Sequence, residues 1–512
     1  MTGAPVPDDI SRLRYTLEAF LLGGEFELYE GERLIGTVAP EQASAEISYG
    51  KLILSCWGEG WSKSWRIVGG QNAGQDTGRV LNLECTRQMG LARSTLELRR
   101  GQGSDPQPKS RRDYCKKLAA LAESNLAGIV VKHAVVARND RKNMSGSYAR
   151  LIMSDSLRGG GSVIAGIGAA PDEPQTTIDR LLGAGMIWAE RLRSIGQTVD
   201  GLYVFVPTGC AVTLATRLTA IKPDKLKISL YEVDQRQRSI SRVEPFDQGD
   251  LAENFGKTAR RAIWPDKDEF PPSIRKLVSS IVAIAPEYIE SHIRAGSVVL
   301  SIRGLPLARV IVGRKRACFG LDGAERDLTG DSRCELESLV SEVISIRTPW
   351  SDDRNSPIYR AYGERWLESL LLRDASAIDT NINTRYVYSQ VPIYRGEQRT
   401  FIDLLSATVS GRLVVMELKV NEDSDFPLQA LDYWLKVGWH HQRGDFERRG
   451  YFRDVRLSPL PPLLYLVAPL FRFHATTALI AGSISDQVPV FRIGINDDWR
   501  TGVRVLLRER LN

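Results

Sequence analysis

The chain has 512 residues, 43% hydrophobic and 25% charged, with 68 basic against 62 acidic side chains and a net charge of +6. That length exceeds a single hydrophobic core and implies roughly three or four units of 100–200 residues. The composition excludes a disordered or fibrous chain, and the mild basic excess permits nucleic-acid binding without requiring it.

Residues 1–103 alternate apolar and polar residues in short runs, among them FELYE, KLILSCW, SWRIV, VLNLECT and STLELRR, separated by turn residues. Period-two alternation predicts a small antiparallel sandwich or barrel. Trp57, Trp61 and Trp65 share the stretch CWGEGWSKSWR and are read as core residues, base stacking by one of them being the alternative. GQGSDPQPKSRR reads as a linker.

An α/β unit is predicted over 110–245. It starts with a helix over 110–125 that has Leu118, Leu121 and Ala122 on one side. Strands GIVVKHAVVA, YARLIMSD and GSVIAGIGA follow, then a helix TIDRLLGAGMIWAERLRSI and strand GLYVFVP. A helix around ATRLTAI and strand KISLYEV close the unit. Residues 250–350 form a mixed connecting domain with strands SVVLSIRG and RACFGLD and a helix CELESLVSEVISI. The last unit, 357–512, opens at SPIYRAYGERWLESLLLRD. The fold class expected is mixed α/β in a multidomain chain.

The 110–245 and 357–512 units share an order of elements, which reads as a duplication. Laying GSVIAGIGA over RLVVMELKV sets Gly166 on Glu417 and Gly168 on Lys419, as if the first copy had lost a polar pair. The alternative is that two unrelated α/β units share such an order.

The chemistry concentrates in FIDLLSATVSGRLVVMELK. Asp403 ends one strand, Gly411 supplies a turn, and the returning strand brings Glu417 and Lys419 to one face with Val415. A solvated face would explain the pair. So would a site in which Asp403 and Glu417, set against each other by the hairpin, hold a divalent cation beside an ammonium. In the helix that follows, Gln429 and Tyr433 stand four apart on one face, with Leu428, Leu431 and Leu435 opposite. Asp425 and Pro427 mark its start. Upstream, YGERWLESLLL offers Glu364 and Glu368 on an amphipathic helix.

The Asp…Glu-x-Lys hairpin resembles the PD-(D/E)xK phosphodiesterase superfamily. The later Gln-x-x-x-Tyr resembles its branch of RecB-like nuclease domains, and the Glu364 helix resembles the start of NucS-like DNA endonuclease domains. The resemblance covers about 150 C-terminal residues. It implies a restriction-endonuclease-like α/β/α domain over 357–512 and a degenerate nuclease-like unit over 110–245. It also implies a DNA-cleaving hydrolase with Mg²⁺ as cofactor, Mn²⁺ being able to substitute. Asp403, Glu417 and Glu364 would hold the metal, with Glu368 as the alternative to Glu364. Lys419 and Gln429 would complete the catalytic set, and Tyr433 would brace the site or touch DNA. A non-cleaving binding protein on the same scaffold, or a subunit active only within a complex, remains the rival.

Other signals are weaker. Arg111 and Arg112 in RRDYCKK are candidates for DNA-backbone contact, as is GRKRACF, with solvated charge as the ordinary reading. His440 and His441 read as half-exposed surface residues just past a helix. RGGGSVIAGIGAAP lacks a Gly-Lys-Ser/Thr ending, so no ATP is expected. The six cysteines show no CxxC spacing, which argues against a zinc ribbon or redox motif, and none follows Cys334, which argues against an iron–sulfur cluster in the last unit. The N-terminal sequence lacks signal-peptide features, and no apolar run approaches the ~20 residues of a membrane helix. The expected setting is cytoplasmic, without membrane contact, with a homo-oligomer or a partner subunit compatible with the reading.

Overall fold

Period-two alternation governs the N-terminal segment. In this computed structural model its strands are β1 (Phe26–Glu30), β2 (Arg33–Val38), β3 (Ala43–Ser48), β4 (Lys51–Gly58), β5 (Trp61–Asn72), β6 (Val80–Arg87) and β7 (Ala92–Arg99). They form one antiparallel sheet in the order β2-β1-β7-β6-β5-β4-β3. Leu52, Leu54 and Cys56 point inward, and Leu54 pairs with Trp65, which is fully buried. Trp57 stands on the other face and is exposed, so the three tryptophans do not share one core. The Trp61 side chain lies outside the described residues, as does 101–106 of the expected linker. The structure describes most of residues 13–512, leaving out chiefly 73–79, 101–106, 137–147, 247–254 and 265–269 with shorter gaps.

Next come helix α1 (Gln107–Asn125), β8 (Ile129–Val136), β9 (Ala149–Asp155) and β10 (Val163–Gly168). The single helix expected over 177–195 is two, α2 (Gln175–Asp179) and α3 (Leu181–Ser194), parted at Arg180. Then follow β11 (Val199–Pro207), α4 (Val212–Leu218), β12 (Lys227–Asp234) and β13 (Ser239–Val243). A third sheet is an antiparallel meander of β14 (Ile289–Arg294), β15 (Ser297–Ile302), β16 (Leu305–Ile311), β17 (Arg316–Phe319) and β18 (Arg326–Asp327). Helices α5 (Pro272–Val282) and α6 (Arg333–Ile346) flank it in the chain. The last segment runs α7 (Gly363–Arg373), β19 (Ile382–Arg395), β20 (Gln398–Thr408), β21 (Leu413–Leu418) and α8 (Phe426–Gln442), then β22 (Leu463–Pro469), α9 (Thr477–Gly482), β23 (Val490–Ile495) and β24 (Val505–Arg510). The chain is thus mixed α/β with several sheets. It falls into two compact units, one of residues 1–105 with 266–369 and one of 106–265 with 370–512. Among the described residues no helix is long and apolar enough to cross a membrane.

The second unit holds two six-stranded sheets, β8 to β13 and β19 to β24, each with its strands side by side in chain order. Neighbours in the first run antiparallel, antiparallel, parallel, parallel, antiparallel. Neighbours in the second follow the same sequence. Their central strands β10, β21 and β22 are buried at every position, as strands covered on both faces are. One continuous core draws on both sheets, from Val163, Ala165 and Ile167 to Val415, Leu464 and Leu466.

The register corrects the overlay of the two glycines on Glu417 and Lys419. Strands β11 and β22 both end on proline, Pro207 and Pro469, which aligns Val204 with Leu466. Ile167 pairs with Val204, and Glu417 with Leu466. Two residues on, the Ala169 N–H donates to the Phe205 carbonyl at 3.2 Å and the Lys419 N–H to the Val467 carbonyl at 3.0 Å. Ile167 and Ala169 therefore stand where Glu417 and Lys419 stand. Gly166 and Gly168 face the other way, toward α1. A Cβ at Gly168 would lie 2.5 Å from Leu118 Cδ2, and one at Gly166 would lie 2.8 Å from Leu151 Cβ. The glycines serve close packing. A one-residue slip exchanges the two faces of a strand, and the sequence overlay had made it.

A polar clamp closes the far side of the last sheet. Asp379, just before β19, accepts from Tyr465 Oη on β22 at 2.7 Å, from Arg508 Nη2 on β24 at 2.7 Å, and from the Asn381 N–H at 3.0 Å. Burial alone would raise the Asp379 pKa, but these donors bring it down to about 2. A carboxylate whose folded-state value is lowered stabilises the fold above the ordinary carboxylate range and loses that contribution as pH falls through about 2. Asp379→Asn should lower stability at pH 7 by about 1–3 kcal/mol, as for an impaired buried hydrogen-bond acceptor. The gap from the parent protein should close as pH falls from 4 toward 2. Urea midpoints at a series of pH values measure this; equal midpoints at pH 7 would rule the clamp out as a stabilising element.

Candidate active site

The β20–β21 hairpin is closed by Gly411, whose φ of +84° and contact with the Arg456 carbonyl both exclude a side chain. The Gly411 N–H donates to the Thr408 carbonyl at 2.9 Å. This turn fixes the register Leu404 opposite Met416, and one step further along sets Asp403 opposite Glu417. There the ladder changes character. The Leu418 N–H is taken by the Asp403 side chain, Oδ2, at 2.8 Å. Lys419 Nζ lies 3.5 Å from Glu417 Oε1, with the Glu417 side chain 2% exposed and that of Lys419 13%. The acid and the ammonium are therefore not on a solvated face. They lie on the α8 side of the sheet, in line with Val415.

Helix α8 brings in two more of the residues singled out above. Gln429 Nε2 donates to Tyr433 Oη at 2.9 Å. Burial raises the Tyr433 pKa, and the Glu417 and Asp403 charges raise it further against the opposing pull of Gln429 and Lys419. The phenol is thus held neutral and feels all three charged groups of the hairpin. Its ring is 3% exposed, which suits bracing the site rather than offering a stacking face to a base.

Gln390 on β19 is a member that sequence reasoning missed. It sits opposite Asp403 in the β19–β20 register, between the pairs Ser389–Leu404 and Val391–Ile402. Its backbone is left-handed, with φ +48°, and its Nε2 donates to Asp403 Oδ1 at 3.3 Å. A non-glycine residue there carries strain of order 1–3 kcal/mol, a feature that clusters at functional sites. Counting the hairpin register back from Asp403 would have found it.

On α7, Glu364 is half-exposed and Glu368 is 5% exposed. Among the described residues no three His, Cys, Asp or Glu side chains converge as a metal cage, so the hairpin offers two carboxylates. Arg111 is held by an ion pair with Glu173, and Arg112 is exposed. His440, expected at the surface, is 2% exposed. Its Nδ1 lies 2.6 Å from Asp445 Oδ2 and its Nε2 2.7 Å from the Ala259 carbonyl, while burial lowers its pKa. That is a structural role. His441 is half-buried, as expected, but both histidines lie in the last turn of α8 rather than past its end.

The reason α8 is buried on nearly every side is that it lies between its own sheet and helix α4 of the other. Arg217 of α4 is fully buried and forks onto Asp432 of α8, Nε to Oδ1 and Nη2 to Oδ2 both at 2.8 Å. Its Nη1 donates to the Asp179 carbonyl and lies 3.6 Å from Asp425 Oδ1 at the start of α8. Burial works against the cation, but the Asp432 and Asp425 charges outweigh it and raise its pKa.

No family model matches the chain, and no curated protein does. Two solved structures overlap it in part. One, described as "Structure of EndoMS-dsDNA2 complex", is 12% identical, with a TM-score of 0.17, and covers 45% of this chain and 95% of its own. The other, a repair endonuclease from Pyrococcus abyssi, is 10% identical, with a TM-score of 0.16, and covers 46% of this chain and 97% of its own.

Removing one partner of a buried ion pair costs about 3–5 kcal/mol, whereas replacing both by apolar groups often costs little. Arg217→Met and Asp432→Leu should each lower stability by about that amount. The double variant should lose clearly less than the sum of the two. Urea midpoints on the four proteins test this, and additive losses would refute the coupling.

Proposed function

We propose that the protein is a metal-dependent nuclease that hydrolyses DNA phosphodiester bonds at the β20–β21 hairpin. The observation that carries the reading is the meeting of Asp403, Glu417 and Lys419 on one largely buried face under Tyr433 and Gln429. Two carboxylates brought together at low exposure repel each other unless a cation lies between them. Mg²⁺ fits such a set, because it takes one or two carboxylates and keeps waters and substrate oxygens for the remainder of its shell. Asp403 and Glu417 would hold it, and Mn²⁺ would substitute. When bound, the ion supplies a water of lowered pKa and stabilises charge on phosphate oxygens.

The chain's own groups do the rest. The Leu418 N–H and the Gln390 amide hold the two oxygens of Asp403 in place. Lys419 presents a cation for the charge that develops on the phosphate during hydrolysis. Gln429 and Tyr433, bonded to each other, close the site from the helix side. DNA is the proposed substrate because the hairpin and helix motifs resemble DNA-cleaving members of the superfamily.

The test uses purified protein, labelled DNA and Mg²⁺, with Ca²⁺ for binding. Asp403→Asn and Glu417→Gln should abolish cleavage while the protein stays folded. Lys419→Ala should bind DNA nearly as well as the parent protein in Ca²⁺ but cut it slower by about 100-fold or more, since an interaction made mainly in the transition state raises rate rather than affinity. Undiminished cleavage by Glu417→Gln would move the site elsewhere. Equal losses of binding and rate in Lys419→Ala would make the lysine a docking residue.

A further inference from the structure

The two sheets of the second unit share more than a strand order; their mutual contacts are reciprocal. Helix α8 packs on α4, and α3 packs on α9. In chain position α3 corresponds to α8 and α4 to α9, so each contact becomes the other when the two copies are exchanged. Just past α4 and α9, Ile221 and Ile484 form an antiparallel bridge. The Lys222 N–H donates to the Ser483 carbonyl, and the Ser485 N–H to the Ala220 carbonyl, both at 2.8 Å. Swapping the copies turns one of these bonds into the other. A residue paired with its own counterpart through reciprocal bonds marks a two-fold axis, the signature of an isologous dimer interface. Here that interface is made within one chain.

The copies are not equal in chemistry. By the register above, Ile167 replaces Glu417 and Ala169 replaces Lys419. Ile167 faces Arg150, which is therefore the counterpart of Asp403. Arg150 is 7% exposed, with its guanidinium 5.4 Å from the Trp188 ring centroid. A guanidinium in place of a carboxylate repels a divalent cation, and isoleucine and alanine offer it no oxygen.

We infer that residues 106–265 and 370–512 form an intramolecular pseudo-dimer with one working half, which cuts a single strand of duplex DNA per encounter. The inference rests on the nuclease reading above. The two strands of a duplex are themselves related by two-fold axes, so a two-fold protein presents equivalent sites to both strands. When only one of those sites holds the acids and the lysine, one strand is cut. The first copy then serves as a docking half.

Supercoiled plasmid, and a duplex labelled differently on each strand, are incubated with the full chain and Mg²⁺, with the protein's mass measured in the same buffer. A monomer should convert supercoiled DNA to open circles before linear product appears, and one binding event on the labelled duplex should release one cut strand. Glu417→Gln should abolish cutting of either strand. Cleavage of both strands in one encounter by the monomer would overturn the inference while leaving the nuclease reading intact. Cutting that survives in Glu417→Gln would overturn both, because it moves the site away from the hairpin. Absence of cleavage by a folded protein on every duplex and metal tried would overturn the nuclease reading, and this inference with it.

Discussion

The buried fork of Arg217 onto Asp432 is the constraint on which the candidate site depends. Helix α8 carries Gln429 and Tyr433 toward the hairpin on one side and Asp432 toward α4 on another. A guanidinium with no solvent contact tolerates little freedom. Its planar fork must meet both oxygens of Asp432 while Nη1 faces Asp179 and Asp425. The rotation and axial position of α8 are thereby fixed from outside its own sheet. The distance from Tyr433 to the Asp403–Glu417–Lys419 cluster is set by a residue more than two hundred positions upstream in the chain.

Much of the hairpin was legible because its chemistry is local. Asp403, Gly411, Glu417 and Lys419 lie within one turn and two strands, so alternation and turn type were enough to bring them together. The Gln429–Tyr433 pair was legible for the same reason, being one helical turn. Gln390 was not, because it stands thirteen residues before Asp403 on the far strand of a second hairpin, outside the motif, and its left-handed backbone has no glycine to signal it. Arg217 reads in sequence as one more arginine on a short helix. Its partner Asp432 reads as helix-surface charge, and only the packing of one copy on the other buries both. Leu435, expected in the core with Leu428 and Leu431, is half-buried instead. Once α8 is covered from two directions, a one-sided apolar stripe no longer describes it.

The glycines of β10 show how a correct pattern can be read with the wrong cause. Their spacing matches that of Glu417 and Lys419, and a loss-of-function reading follows naturally from an overlay shifted by one residue. The hydrogen-bond register assigns them to the α1 side, where a Cβ at Gly168 would lie 2.5 Å from Leu118 Cδ2 and 3.3 Å from Tyr114 Oη. At the register positions of Glu417, Lys419 and Asp403 the first sheet carries Ile167, Ala169 and Arg150.

The reciprocal bridge at Ile221 and Ile484 also bears on how the chain reaches its native state. Its two strands of backbone are separated by about 260 residues, and the segment between them includes an entire sheet of the other unit. During synthesis at roughly 5–20 residues per second, the first copy waits on the order of 10–50 s for the second to emerge. Through that interval the apolar faces of α3 and α4, destined for α9 and α8, have no intramolecular partner. A nascent chain in this condition is open to pairing with another ribosome's product across the same two-fold surface, as domain-swapped dimers do. Fusing two protomers removes the need to find a partner by diffusion, and replaces it with a need to keep the first half soluble until the second is made.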